Sequence, residues 1–142
     1  VVDAAREGVM AGARELEISF PGGRRVDATV GHHVVRTDQP LDNKGTDTAP
    51  SPFELFLASI GTCAGIFVQG FCAARGIDVS AIKIVERASF DEKGTLSAVD
   101  LEVRLPPDFP GRYREAVLQV VEQCSVKRAI AAQPAFTVRS TV

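Results

Sequence analysis

The stretch from Ser51 to Arg75 limits the fold more than any other part of this chain. Leu55 to Ala74 is apolar enough and long enough to span a bilayer. Glu54, Gln69 and Arg75 punctuate it, and Ser59, Thr62 and several small residues dilute it. Ser51 is placed as an N-cap, with Pro52 at the first helical position and Glu54 three residues after the cap. That is a capping-box signature ahead of a hydrophobic run. The spacing predicts a helix from about Pro52 to Arg75, stopped by Gly76. The remainder of the chain is rich in strand patterns that need a covering layer. The expectation is therefore a helix buried nearly all round in a soluble core, not a membrane span.

The strand signals flank this helix. Leu16, Ile18 and Phe20 alternate, then Val26, Ala28 and Val30, then Val34 to Thr37, with turns at Pro21-Gly22-Gly23 and Gly31-His32. This reads as a three-stranded meander. After the helix, Ile82, Ile84, Ala88 and Phe90 alternate with charged residues, Gly94 marks a turn, and Val99, Leu101, Val103 and Leu105 alternate again. These two runs predict a long hairpin, polar on one face. Pro110 opens a second helix whose stripe is Tyr113, Val117, Val120, Val121 and Cys124. A short helix over 126–133 and a last strand through Phe136, Val138 and Ser140 complete the order β-β-β-α-β-β-α-α-β. The class is α+β with mostly antiparallel pairing. Residues 1–14 read as an N-terminal arm and 15–142 as one domain, a division that suits a chain of 142 residues.

Composition narrows the function. A net charge of −2 lacks the basic excess of a dedicated nucleic-acid binder. Three cysteines, odd and sparse, do not make a secreted disulfide framework and fit a reducing compartment. Asp3, Arg6 and Glu7 make the first residues unlike a secretory leader, so the expected location is the cytoplasm.

The thiols carry the chemistry. Cys63 and Cys72 lie nine residues apart on the predicted helix, about 180° around it and roughly 13 Å along it, which excludes a bond between them. Cys72 reads as a small core residue. Cys63 and Cys124 lie on separate helices, 61 positions apart (124 − 63). If the fold brings them together, a thiolate can attack a peroxide to give a sulfenic acid, and a second thiol can condense with it. The nucleophile needs a cation or a helix N-terminus nearby. Its sequence neighbours Gly61, Thr62, Ala64 and Gly65 offer no cation, so one is expected from Arg24, Arg25 or Arg36, or from another subunit. Gly61 and Gly65 would let a substrate or a neighbouring helix approach the sulfur. Lys127-Arg128 reads as a helix-surface pair that could also help hold Cys124 as a thiolate. His32-His33 reads as an exposed turn, and no metal-ligand spacing is present.

Pro50-Ser-Pro-Phe-Glu-Leu-Phe-Leu-Ala-Ser-Ile-Gly-Thr-Cys63 resembles the signature of the OsmC/Ohr family, the osmotically induced and organic hydroperoxide resistance proteins. Cys124-Ser-Val-Lys-Arg-Ala-Ile130 resembles that family's second cysteine motif, and the resemblance covers about Glu15 to Val142. It implies an intertwined homodimer, with antiparallel sheets wrapped around two long central helices. It implies reduction of organic hydroperoxides, with Cys63 as the peroxidatic cysteine and Cys124 as the resolving one. It further implies recycling by a dithiol of the lipoyl type, with no bound cofactor or metal. Phe53, Phe56 and Ile60 are assigned to the pocket. Members of the peroxidase type carry a Glu directly after the motif's proline, partnering an Arg near the thiol. Here Phe53 takes that place, and Glu54 follows about 100° further round the helix. Arg24 is the closest match to the arginine by position, with Arg25 and Arg36 as rivals. The chain is thus more similar to the broader OsmC-like branch. Its second reading is a non-catalytic dimer that binds a small apolar or thiol-reactive ligand, and its third a structural dimer with two core cysteines.

Overall fold

A computed structural model describes residues 14–142, so the expected arm lies outside the described residues apart from Arg14. The chain divides into two compact units, whose described parts are residues 14–59 and residues 60–142. The long helix begins in the first and continues into the second.

In the first unit, strands β1 (Glu17–Gly22), β2 (Arg25–Val30) and β3 (His33–Thr37) form an antiparallel meander in the order β1-β2-β3, as the alternation predicts. Gly22 and Gly23, at φ 136° and 60°, make the first turn, a backbone that a side-chain-bearing residue adopts only with strain. Leu16, Ile18 and Phe20 remain largely exposed, Phe20 at 80%. The loop after β3 is held by Asp38, whose carboxylate accepts bonds from the Gln39 amide, the Thr46 hydroxyl, and both the amide and hydroxyl of Thr48. Asp38 is buried, and these donors hold its pKa well below the usual carboxylate range. The Thr48 and Thr46 hydroxyls contribute most.

Helix α1 (Pro52–Ala73) starts with the expected capping box. The Ser51 amide donates to Glu54 Oε2 at 2.8 Å, and the Glu54 amide donates to Ser51 Oγ at 3.3 Å. Its end is also as read: Gly76 adopts φ 65°, and the Cys72 carbonyl accepts from both Arg75 and Ile77. The expectation of burial nearly all round is corrected. Only 33% of the helix's apolar window is buried, on the face of Ile60, Ala64, Phe67, Val68, Phe71 and Cys72. Phe53 and Ile66 are exposed. By length and composition α1 could still cross a membrane.

In the second unit, β4 (Lys83–Phe90) and β5 (Leu96–Arg104) form the antiparallel hairpin. Asp91 closes its turn by accepting the Lys93 and Thr95 amides, each at 2.9 Å. The outer face carries the ion pairs Arg87–Glu102 and Arg104–Glu102, both 2.8 Å. Pro110 leads into a short 3-10 turn (Gly111–Tyr113) and then α2 (Arg114–Val121). Val117 and Val121 of α2 pack with Ala64, Val68, Phe71, Cys72 and Phe109 into one core, edged by Ile84, Leu101 and Val103 of the hairpin. Cys72 is fully buried there, as expected of a core residue.

Two readings change at the C-terminal end. Cys124 is not on the α2 stripe. The amides of Glu122, Gln123 and Cys124 bond three residues back, which tightens the chain out of α-helix. Cys124 then turns to ψ 122° and becomes the cap residue of α3 (Ser125–Ala132). No strand forms after α3. Gln133 leaves the helix at φ 48°, and residues 133–142 find no ladder partner among the described residues, with Phe136 and Val138 at 90% and 98% exposure.

Candidate thiol site

The site lies within the second unit, where α1 meets the start of α3. Cys63 is half-buried on α1, one helical turn beyond Ile60, and Cys124 is fully buried at the cap of α3. The two thiols are close enough to shift each other's protonation, although they lie on different elements. Ser125 Oγ is 3.5 Å from Cys63 Sγ. The amides of Val126 and Ser125 also face that sulfur. The cap residue's own side chain makes no capping bond, and the first amides of α3 lack intrahelical partners and carry the positive end of the helix dipole. The Cys63 sulfur takes the place of a capping acceptor supplied by another helix.

These contacts separate the two thiols. Burial works against the Cys63 thiolate, but the Val126 amide, the Cys124 thiol, and the hydroxyl and amide of Ser125 outweigh it. The pKa falls below that of an ordinary cysteine. Burial raises the Cys124 pKa, and its bond to Cys63 raises it further. Of the two thiols, Cys63 is therefore the one whose charged form is favoured and Cys124 the one whose protonated form is favoured. Cys72 is also raised by burial and takes no part.

The residues expected to activate the thiol are placed as follows. Arg24 sits in the β1–β2 turn, Arg25 begins β2 with its Nε donating to the Gly22 carbonyl at 3.4 Å, and Arg36 lies opposite Asp27 on β3. All three are exposed and belong to the first unit. The leading influences on Cys63 are burial and hydrogen bonds, not an arginine charge. Glu54 is taken up by the capping box. Phe53 and Phe56 pack on each other with ring centroids 5.4 Å apart, in the first unit's share of α1. Ile60 lines a cavity of about 570 Å³ with Val99, Leu101, Val103, Leu118, Val121 and Ile130. Lys127 also lines it, its Nζ 2.8 Å from Glu122 Oε2. Ile60, Val121 and Lys127 each lie three positions from one of the two thiols. Among the described residues, no group of three or more His, Cys, Asp or Glu side chains could hold a metal ion.

Sequence reading missed two groups. The first is what the start of α3 does: the helix expected over 126–133 is present at Ser125–Ala132, but its first residues were not connected with Cys63 because the α2 stripe seemed to run on through Cys124. The second is Glu86. It shares the inner face of the hairpin with Ile84 and Ala88, opposite Leu101, and its place in an otherwise apolar alternation was the available signal. A Cβ on Gly61 would come within 2.6 Å of Glu86 Oε2, so the glycine opposite this carboxylate makes room for it, not for a substrate. Gly65 has open space around it. Glu86 Oε1 is buried and finds no hydrogen-bond partner among the described residues. Burial raises the pKa of Glu86, offset in part by the Gly61 amide.

An α+β chain whose long apolar helix sets one thiol against another at a helix start defines a class of two-cysteine proteins. The OsmC-like protein family model matches residues 45–139, and the chain belongs to that family. Solved structures share the fold. A protein of Psychrobacter arcticus, described as an osmotic stress induced and detoxification response protein, is 18% identical with a TM-score of 0.70, covering 84% of this chain and 90% of that one. An OsmC-like protein of Mycoplasma pneumoniae is 13% identical with a TM-score of 0.67, covering 87% and 91%. An organic hydroperoxide resistance protein of Elizabethkingia anophelis is 17% identical with a TM-score of 0.58, covering 87% and 93%. No curated protein matches the sequence.

Proposed function

We propose that this chain is a thiol-dependent peroxidase that reduces organic hydroperoxides. The observation that carries the reading is the placement of Cys63 at the start of α3, its sulfur 3.5 Å from the Ser125 hydroxyl and so beside Cys124, the residue before it. The Cys63 thiolate attacks the outer oxygen of the hydroperoxide, the O–O bond breaks, and the alkoxide leaves as an alcohol after taking up a proton. Cys63 becomes a sulfenic acid. The Cys124 thiol then attacks that sulfur, water leaves, and a disulfide remains. A dithiol of the lipoyl type reduces it and is itself oxidised to a disulfide. The apolar walls of the 570 Å³ cavity favour organic over inorganic peroxides. The name of the Elizabethkingia relative points the same way.

The acting unit in this proposal is a homodimer in the cytoplasm. Ile66 on α1, and Ile18 and Phe20 on the meander, are large apolar side chains exposed to solvent. A second copy would cover them.

The test is consumption of cumene hydroperoxide with a dithiol present. The expected result is turnover by the native chain and none by Cys63→Ser, while Cys124→Ser consumes at most one hydroperoxide per chain to leave Cys63 as sulfenic acid, or a second to leave it as sulfinic acid. Equal turnover by native chain and Cys63→Ser would defeat the proposal. A native chain that binds the peroxide without consuming it would favour the non-catalytic ligand-binding dimer, the reading that Phe53 motivates.

A further inference from the structure

Ser125 is the residue at the site to which the two-thiol reaction assigns nothing. It begins α3 directly after Cys124, and its hydroxyl lies 3.5 Å from the sulfur of Cys63, 62 positions away in sequence. Helix capping does not explain a hydroxyl here. A serine caps from the position before the first helical residue, and that position is Cys124. Between a thiol and a hydroxyl either group can donate. A thiolate has no proton, so once Cys63 is charged the hydroxyl must be the donor. A hydrogen bond to a charged acceptor is stronger than one between neutral groups. Neither lysine nor arginine is among the leading influences on Cys63, while two of them belong to Ser125: its hydroxyl and its amide.

We propose that Ser125 is a positioning residue for the reactive thiol: its hydroxyl donates to Cys63 Sγ, stabilises the thiolate and keeps it aimed at Cys124. The role rests on the peroxidase reading for its purpose, but the hydrogen bond and its effect do not need a peroxide. A hydroxyl serves here where a cation would otherwise have to be brought in. The Ser125 and Val126 amides remain whatever side chain stands at 125, so removing the hydroxyl should weaken the thiolate without abolishing it.

The experiment follows alkylation of each cysteine by iodoacetamide against pH, resolved by peptide mass spectrometry, in the native chain, Ser125→Ala and Ser125→Thr. The expected result is a Cys63 midpoint that rises by roughly 0.5–1 pH unit in Ser125→Ala. That corresponds to a several-fold slower reaction near pH 6.5, since one unit is about tenfold in thiolate fraction well below the midpoint. Ser125→Thr, which keeps the hydroxyl, should restore the native midpoint. Thermal melts should show both variants folded; if Ser125→Ala does not fold, Ser125→Gly replaces it, also without the hydroxyl. An unchanged midpoint in a folded hydroxyl-free variant overturns the proposal, as does a threonine variant that fails to restore it. A shifted midpoint in a protein that consumes no hydroperoxide would uphold Ser125 and defeat the peroxidase reading. Hydroperoxide turnover with an unshifted midpoint would do the reverse.

Discussion

Oxidising the two thiols to a disulfide should stabilise the chain by an amount that its position in sequence sets. A Cys63–Cys124 bond would close a loop of 61 positions (124 − 63). In the chain-entropy account, a loop of that length removes about 4.3 kcal/mol of freedom from the unfolded state at 25 °C. With a urea slope of about 2 kcal/mol per M, the unfolding midpoint should rise by roughly 2 M. Strain in the native bond would lower that figure, so about 4.3 kcal/mol is a ceiling. Cys63 Sγ lies 3.5 Å from the hydroxyl of Ser125, the residue next to Cys124, so the two thiols are brought to the same place in the fold. The assay is urea unfolding, followed by circular dichroism, of the native chain after one equivalent of cumene hydroperoxide and of the same sample after a dithiol. The Cys124→Ser chain, which cannot form the bond, serves as control and should show no oxidation-dependent rise. A native midpoint unmoved by oxidation, or an equal rise in the control, would refute the reasoning.

Two further predictions concern carboxylates. Because the Glu86 pKa is raised in the folded chain, native protein binds more protons than unfolded protein between the ordinary carboxylate range and that raised value, so stability falls as pH rises through this window. Glu86→Gln should therefore raise the melting temperature relative to the native chain at pH 7 and have little effect at pH 4. An equal difference at both values would show that the charge is not what matters. Asp38 is the opposite case: its depressed pKa means that its contribution is complete above the ordinary carboxylate range and fades as pH falls below it. Asp38→Ala should speed amide exchange across the loop from Gln39 to Pro50 at neutral pH and flatten the acid side of the stability curve. Unchanged exchange at Thr46 and Thr48 would contradict the role given to those bonds.

How much of this was legible in the sequence follows from what each signal depends on. The capping box, the Gly76 stop, the meander and the hairpin depend on residues near one another in the chain, and the structure matches them. Cys72 could be placed by helical phase alone. What covers α1 could not be read, because the sequence says a surface is apolar without saying what lies on it. The burial expected all round is confined to one face in the chain. The same limit applies at Phe136 and Val138, whose alternation suits a strand but which have no neighbouring strand among the described residues. Cys124 was misplaced because Val117, Val121 and Cys124 keep helical spacing through a segment where the backbone tightens and turns. That local turn brings a helix start, and with it Ser125 and Val126, to Cys63. The family motif found the two sulfurs; the device that favours charge on one of them became visible only in three dimensions.

The central claim is that Cys63 and Cys124 act together while Cys72 stands apart. Counting free thiols per folded chain after titration with cumene hydroperoxide, then after a dithiol, tests it most directly. The account predicts loss of two thiols, mapped to Cys63 and Cys124, both restored by the dithiol, with Cys72 unreacted throughout. No loss of thiols, or a loss confined to one cysteine in the native chain, would contradict it.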